Sequence, residues 1–117
     1  MLQLNVTDEG SGSFRVGLVG ELDYVTAPLL EEQIAALEPR RPRAVVVDLG
    51  SLTFLDSSGL RALLAVQRAA GKGGYDLVVQ NPLPQAGRVF SLTGAKKFLN
   101  IQGDETDPGP AAERAAT

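Results

Sequence analysis

Val45-Val46-Val47-Asp48-Leu49-Gly50-Ser51-Leu52-Thr53-Phe54-Leu55-Asp56-Ser57-Ser58-Gly59-Leu60 joins two hydrophobic patterns at a turn. The nearly unbroken apolar run over Ala44–Leu49 predicts a central strand buried on both faces. Leu60, Leu63 and Leu64 then fall at helical spacing. They predict a helix from Ser57 to about Ala70, stopped by Gly71, Gly73 and Gly74. Asp56-Ser57-Ser58-Gly59 therefore occupies a strand-to-helix turn, where free N–H groups and the positive end of a helix dipole collect. Such a place can hold a phosphate. Three readings stand open: the turn binds a phosphate, receives one covalently, or uses Ser57 or Ser58 only as a helix cap.

Outward from that turn the chain alternates strand and helix signals. Leu2–Thr7 and Phe14–Val19 alternate apolar with polar around Gly10-Ser11-Gly12, which predicts an antiparallel hairpin at a sheet edge. Gly20-Glu21-Leu22-Asp23 reads as a loop. Thr26 is a candidate cap for a helix with Pro28 in its first turn and Leu30, Ile34 and Leu37 on one face, ended by Pro39 and Pro42. Leu77–Val79 predicts a short strand. Asn81 is a candidate cap for a third helix from about Pro82, presenting Ala86, Val89 and Phe90 and closing at Gly94. Phe98–Ile101 predicts a last strand. The fold class is α/β: one domain over residues 1–102, a mixed, mostly parallel sheet with an N-terminal antiparallel hairpin and helices packed on it. The acidic, Pro-containing segment 103–117 offers little to anchor in a core and reads as a disordered tail.

Composition narrows the chemistry. The 117 residues suit one core, with 44% apolar and 21% charged residues. Cysteine and histidine are both absent, so disulfides, thiolate chemistry, a Ser-His-Asp triad and histidine metal ligands are excluded. The sequence around Ser57 is not Gly-x-Ser-x-Gly, and no phosphate-loop glycine pattern occurs. An enzyme is not expected, nor a cofactor. A net charge of −3 gives no footprint for nucleic acid, and Arg40-Arg41-Pro42-Arg43 reads as a solvated loop. No apolar stretch reaches the length of a membrane span and no signal peptide is evident, so a cytoplasmic protein without membrane contact is expected. Asp23 and Asp56 each follow an apolar segment and could meet at one end of the sheet; turn formation is the more frequent role of such aspartates.

Gly20-Glu21-Leu22-Asp23, Val45-Val46-Val47-Asp48-Leu49, Phe54-Leu55-Asp56-Ser57-Ser58-Gly59-Leu60 and Ser91-Leu92-Thr93-Gly94 together resemble a STAS domain. The resemblance is closest to the small bacterial anti-sigma factor antagonists, covers about residues 1–101, and is most specific at Asp-Ser-Ser-Gly. It implies partner switching. The dephosphorylated antagonist binds an anti-sigma factor that is also a serine kinase, freeing a sigma factor. Phosphorylation releases it, and a PP2C-type serine phosphatase restores it. By resemblance the phosphoacceptor is Ser57, with Asp23, Asp56, Ser58 and Gly59 as its neighbours and acidic pocket. Leu55, Leu60 and Arg61 are candidate partner contacts, against core packing for the leucines and plain solvation for Arg61. The alternative is a non-switching STAS module, a signalling scaffold or lipid-transport subunit. Ala95-Lys96-Lys97 departs from the family, which often has an apolar residue followed by Asp there, and the tail has no clear counterpart.

Overall fold

The computed structural model describes residues 1–103; the expected disordered tail, Gly103 apart, lies outside the described residues. Among the described residues five strands form one sheet in the order β1-β2-β3-β4-β5. They are β1 (Leu2–Gly10), β2 (Ser13–Leu22), β3 (Ala44–Leu55), β4 (Asp76–Gln80) and β5 (Ile101–Gln102). The helices are α1 (Ala27–Leu37), α2 (Ser57–Gly73) and α3 (Pro84–Thr93), with 3₁₀ turns at Glu38–Arg40 and Ala95–Lys97. β1 and β2 are antiparallel, and every later pairing is parallel, as expected.

The hairpin closes through Ser11 (φ 55°) and Gly12 (φ 78°), the pair of positive values a type I′ turn requires. The arginine cluster is less solvated than its sequence suggests. Arg40 pairs with Asp8 at 3.3 Å and lies 4.6 Å over the Phe14 ring, while Arg43 Nε donates to Ser11 O at 3.1 Å. Both tie the segment before β3 to the hairpin.

β3 departs from the expectation of burial on both faces. Val45, Val47 and Leu49 are fully buried, whereas Val46 and Asp48 between them are half-buried. The alternation arises because the helices cover one face only. On the other face Arg15 bridges Asp48 at 2.9 Å and Glu9 at 3.1 Å, and donates to Gln80 Oε1 at 3.1 Å. The core, a single cluster, joins Phe14, Val16, Leu18, Leu30, Ile34, Leu63, Leu77, Val79 and Phe90.

Two other differences bear on the site. β3 does not stop at Leu49 but runs on to Leu55, and the Gly20–Leu22 segment expected as loop is strand β2 alongside it. Register shifts between Gly17 and Val19 and between Gly20 and Glu21 turn Leu52 and Leu55 inward in this second half. The β3–β4 ladder ends at Asp48–Gln80, so among the described residues the second half of β3 pairs with β2 alone, and α3 packs beside it. Asn81 caps nothing. It sits at φ 58°, its side chain on Asp48 Oδ1 at 3.3 Å, and α3 begins after Leu83. The last strand is shorter than predicted, and Phe98 projects into solvent.

Candidate functional site

The parallel pairing of β2 with β3 brings their C-terminal ends to one pole, with Leu22 opposite Leu55. Asp23 and Asp56 are the next residues along each strand. Thus the structure brings both aspartates to the same end of the sheet, but each carboxylate is engaged locally. Asp23 Oδ1 accepts from Val25 N at 3.1 Å and Thr26 N at 3.0 Å. Thr26 completes this turn rather than capping α1 with its side chain; its hydroxyl lies 2.8 Å from Glu21 O and accepts from Asp23 N at 2.9 Å. The hydrogen bonds from Thr26 favour the charged carboxylate and hold Asp23 below its ordinary pKa.

Asp56 settles the capping question left open by spacing. It is the N-cap of α2, in extended conformation (φ −108°, ψ −172°), with Oδ1 accepting from Gly59 N at 2.9 Å. Its carbonyl accepts the first helical bond, from Leu60 N, at 2.9 Å. Neither serine is needed for the cap. Ser57, the first residue of the helix, is exposed; Ser58, the second, is half-buried. Residues this early in a helix have no carbonyl four positions back to receive their N–H groups. Ser57 is thus an exposed residue at the positive end of a seventeen-residue helix.

Gly59 is required by packing. A Cβ there would run into the Leu22 carbonyl oxygen and come within 2.7 Å of Leu55 Cδ1. Only glycine lets the first turn of α2 lie this close to the end of β2, an approach also marked by Asp56 N donating to Leu22 O at 3.3 Å.

Leu55 and Leu60, read as candidate partner contacts, are core residues at 1% and 8% exposure; they offer a partner no side-chain surface. Arg61 is exposed, one turn along the helix from Ser57. The apolar surface at this pole comes instead from residues the sequence reading passed over. Tyr24 and Val25, in the turn after Asp23, are 80% and 79% exposed, and Phe54 is partly exposed on β3. A Tyr-Val pair between a turn aspartate and a helix start was the available signal. Gln85 of α3 was also missed. Its side-chain amide exchanges two 2.9 Å hydrogen bonds with the backbone of Leu55, accepting from Leu55 N and donating to Leu55 O. This amide substitutes for the strand that β4 does not provide there, and so fixes the residue before Asp56. Nothing in the sequence around Gln85 announces it.

The pole therefore has a rigid, capped helix start, an exposed hydroxyl and an apolar fringe. Among the described residues no group of His, Cys, Asp and Glu could hold a metal ion. No helix there is long and apolar enough to cross a membrane. Fold and site together define a one-sided α/β domain that presents a serine at a strand-to-helix turn. Residues 6–101 match the family model described as "Mlab, STAS domain". An anti-sigma factor antagonist from Mycobacterium paratuberculosis shares 33% identity with a TM-score of 0.74, over 97% of this chain and 95% of that one. The anti-sigma-B factor antagonist of Staphylococcus aureus is 28% identical over 108 residues, 91% of this chain and 100% of that protein. The phosphorylated form of the Bacillus cell fate determinant SpoIIAA shares the fold, at 20% identity and a TM-score of 0.66, over 97% of this chain and 99% of that one. The chain belongs to the STAS-domain family and, within it, to the anti-sigma factor antagonists.

Proposed function

We propose that this protein works as a phosphorylation-controlled partner switch, with Ser57 as the acceptor. Unphosphorylated, it docks through the pole of Tyr24, Val25, Phe54, Ser57 and Arg61 onto an anti-sigma factor that is also a serine kinase, and a sigma factor is freed. In the kinase step the Ser57 hydroxyl oxygen bonds to the γ-phosphorus of ATP. The bond to ADP breaks and the hydroxyl proton passes to the kinase. A PP2C-type phosphatase returns the serine by hydrolysis.

The observation that carries this reading is that Asp56 caps α2 and leaves Ser57 exposed at its first position. A capping serine would have to surrender its hydrogen bond before reacting; this one does not. Phosphorylation adds about −1.5 to −2 charges and three acceptor oxygens. The helix start accommodates them without unfolding the domain. An apposed surface then faces that charge beside the Asp56 carboxylate, with repulsion and a larger desolvation cost. Since about 1.4 kcal/mol is a tenfold change in affinity, one charged group within an interface is enough to release a partner. Exposed aromatic residues such as Tyr24 and Phe54 are the type that anchors interfaces.

The test is incubation with the cognate anti-sigma factor kinase and ATP, followed by intact-mass and peptide mass spectrometry. The parent and Ser58→Ala gain one phosphate, on Ser57, and lose affinity for the kinase. Ser57→Ala gains none and stays bound. Phosphate on Ser57→Ala, or no binding by the parent, refutes the assignment. A second reading is a non-switching STAS module, a signalling scaffold or lipid-transport subunit. The description of the matched family model, which names Mlab rather than an antagonist, supports it. A pull-down that recovers a transporter ATPase and no kinase would decide for it.

A further inference from the structure

The two edges of the sheet are unequal. β5 is two residues long, whereas β1 is a nine-residue strand that, among the described residues, pairs with β2 alone. Natural edge strands of such length carry lysines, prolines, inward charges or bulges that prevent pairing with another chain. Leu2-Gln3-Leu4-Asn5-Val6-Thr7 has none of these; the bulge and the acidic residues begin only at Asp8.

The phase of the ladder decides which groups are on offer. Glu21 N donates to Met1 O at 2.9 Å, so Met1, Gln3, Asn5 and Thr7 direct their backbone N–H and C=O groups at β2. Leu2, Leu4 and Val6 direct theirs away from the sheet. The same three side chains share the core face, since Leu4 is paired with Leu18 and Val6 with Val16, both fully buried. β2 is the element that β1 mainly packs against, so this apolar row ends at the rim of the core; Leu2 and Leu4 are half-buried and Val6 is 39% exposed.

A second copy of β1 satisfies the backbone and the side chains at once. We propose that the protein forms a two-fold symmetric dimer by antiparallel pairing of β1 with β1, centred on Leu4, giving one continuous ten-stranded sheet. In that register Leu4 faces Leu4 and Leu2 faces Val6, and the outward N–H and C=O groups of all three residues find partners. The apolar rows of the two copies merge into one core stripe. Gln3 faces Asn5 on the open face, so two amide side chains meet there. Asp8 and Glu9 fall beyond the paired segment, and no like charges are apposed. Pairing one residue out of this phase would set outward groups against inward ones and leave them unbonded. The interface is self-complementary, as a two-fold axis demands. It lies along the sheet edge, apart from the turn at Ser57, and does not depend on the proposed function.

Sedimentation velocity and light scattering of the full chain, from about 1 µM to about 1 mM, give the mass directly. The expected result is a rise from monomer to dimer. Amide hydrogen exchange at Leu2, Leu4 and Val6 slows as the dimer fills, while exchange at Gln3 and Asn5 is unchanged by concentration. Leu4→Pro removes an N–H that faces away from β2, so the intramolecular ladder keeps its bonds. Val6→Lys sets a charge against the partner's Leu2. Each raises the dimer dissociation constant at least about tenfold, about 1.4 kcal/mol. Leu4→Pro also trims a half-buried side chain and lowers thermal stability somewhat, but at low concentration both variants keep the far-UV circular dichroism spectrum of the folded parent. A chain that stays monomeric to about 1 mM overturns the proposal. So does a dimer that both substitutions leave intact, or one that forms without slowing of the Leu2, Leu4 and Val6 amides.

Discussion

Gln85 offers a quantitative test of how the pole is built. Its amide forms two 2.9 Å hydrogen bonds with the Leu55 backbone, where β3 has outrun its neighbour β4. Gln85→Ala removes both. A typical intramolecular hydrogen bond contributes about 0.5–1.5 kcal/mol net, so the pair contributes about 2 kcal/mol. Gln85 is half-buried, and water entering the vacated space lowers the loss to no less than about 1 kcal/mol. In a domain of about a hundred residues, 1 kcal/mol shifts the melting temperature by about 4–8 °C. Thermal unfolding by circular dichroism should therefore show a fall of about 4–16 °C. Gln85→Glu separates the two bonds. A carboxylate still accepts from Leu55 N but faces the Leu55 carbonyl with no proton to donate. The deficit should be largest at neutral pH and diminish in acid as the carboxyl protonates and regains a donor. If Gln85→Ala melts within about 2 °C of the parent, or if Gln85→Glu shows no such pH trend relative to Gln85→Ala, the strand-substitute role is wrong.

Asp56→Ala removes the N-cap of α2 and should lower unfolding free energy in urea by about 1 kcal/mol, with Asp56→Ser recovering most of it. Gly59→Ala should cost about 1–3 kcal/mol in the same assay, because its Cβ meets the Leu22 carbonyl and Leu55. Gly71→Ala, on the exposed last turns of the same helix with nothing within 4 Å of the added carbon, should instead stabilise by about 0.5–1 kcal/mol. Asp23 has a folded-state pKa below its unfolded value of about 3.9, so its stabilising effect is complete above that value and disappears as pH falls through the lower, folded one. Urea titrations over a pH series should show Asp23→Asn less stable than the parent near neutrality, with the gap closing in acid. A gap that widens in acid would contradict the hydrogen-bond assignment.

Much of the fold was legible because its signals are local. The alternation in Leu2–Thr7 and Phe14–Val19, the helical spacing of Leu60, Leu63 and Leu64, and the glycines at Gly12, Gly74 and Gly94 act over a few residues. Each fixes a backbone geometry that the neighbours alone dictate. The Asp-Ser-Ser-Gly turn was legible for the same reason. Burial was not. An apolar run such as Val45–Leu49 is the same string whether one face or two are covered, and the number of covered faces depends on where all the helices pack. For Leu55 and Leu60 the sequence left partner contact and core packing both open, because position next to a turn says nothing about side-chain direction. Register shifts and the packing of α2 on β2 send them inward, while Tyr24, Val25 and Phe54 remain outside.

The sequence by itself determined the α/β element order, the strand-to-helix turn at Asp56–Gly59, the absence of histidine and cysteine chemistry, and the family resemblance. Only the tertiary structure decided that Asp56 rather than a serine caps α2, that β3 is covered on one side, and that Gln85 holds the end of β3. It also showed that, among the described residues, the outer edge of β1 is unpaired. The division has a physical basis. Periodicity and turn chemistry act through bonds between near neighbours in the chain. Burial, close backbone approach and the satisfaction of stray N–H and C=O groups depend on residues brought together from distant segments. Gln85 and Leu55, thirty positions apart, meet only when the sheet and α3 are in place.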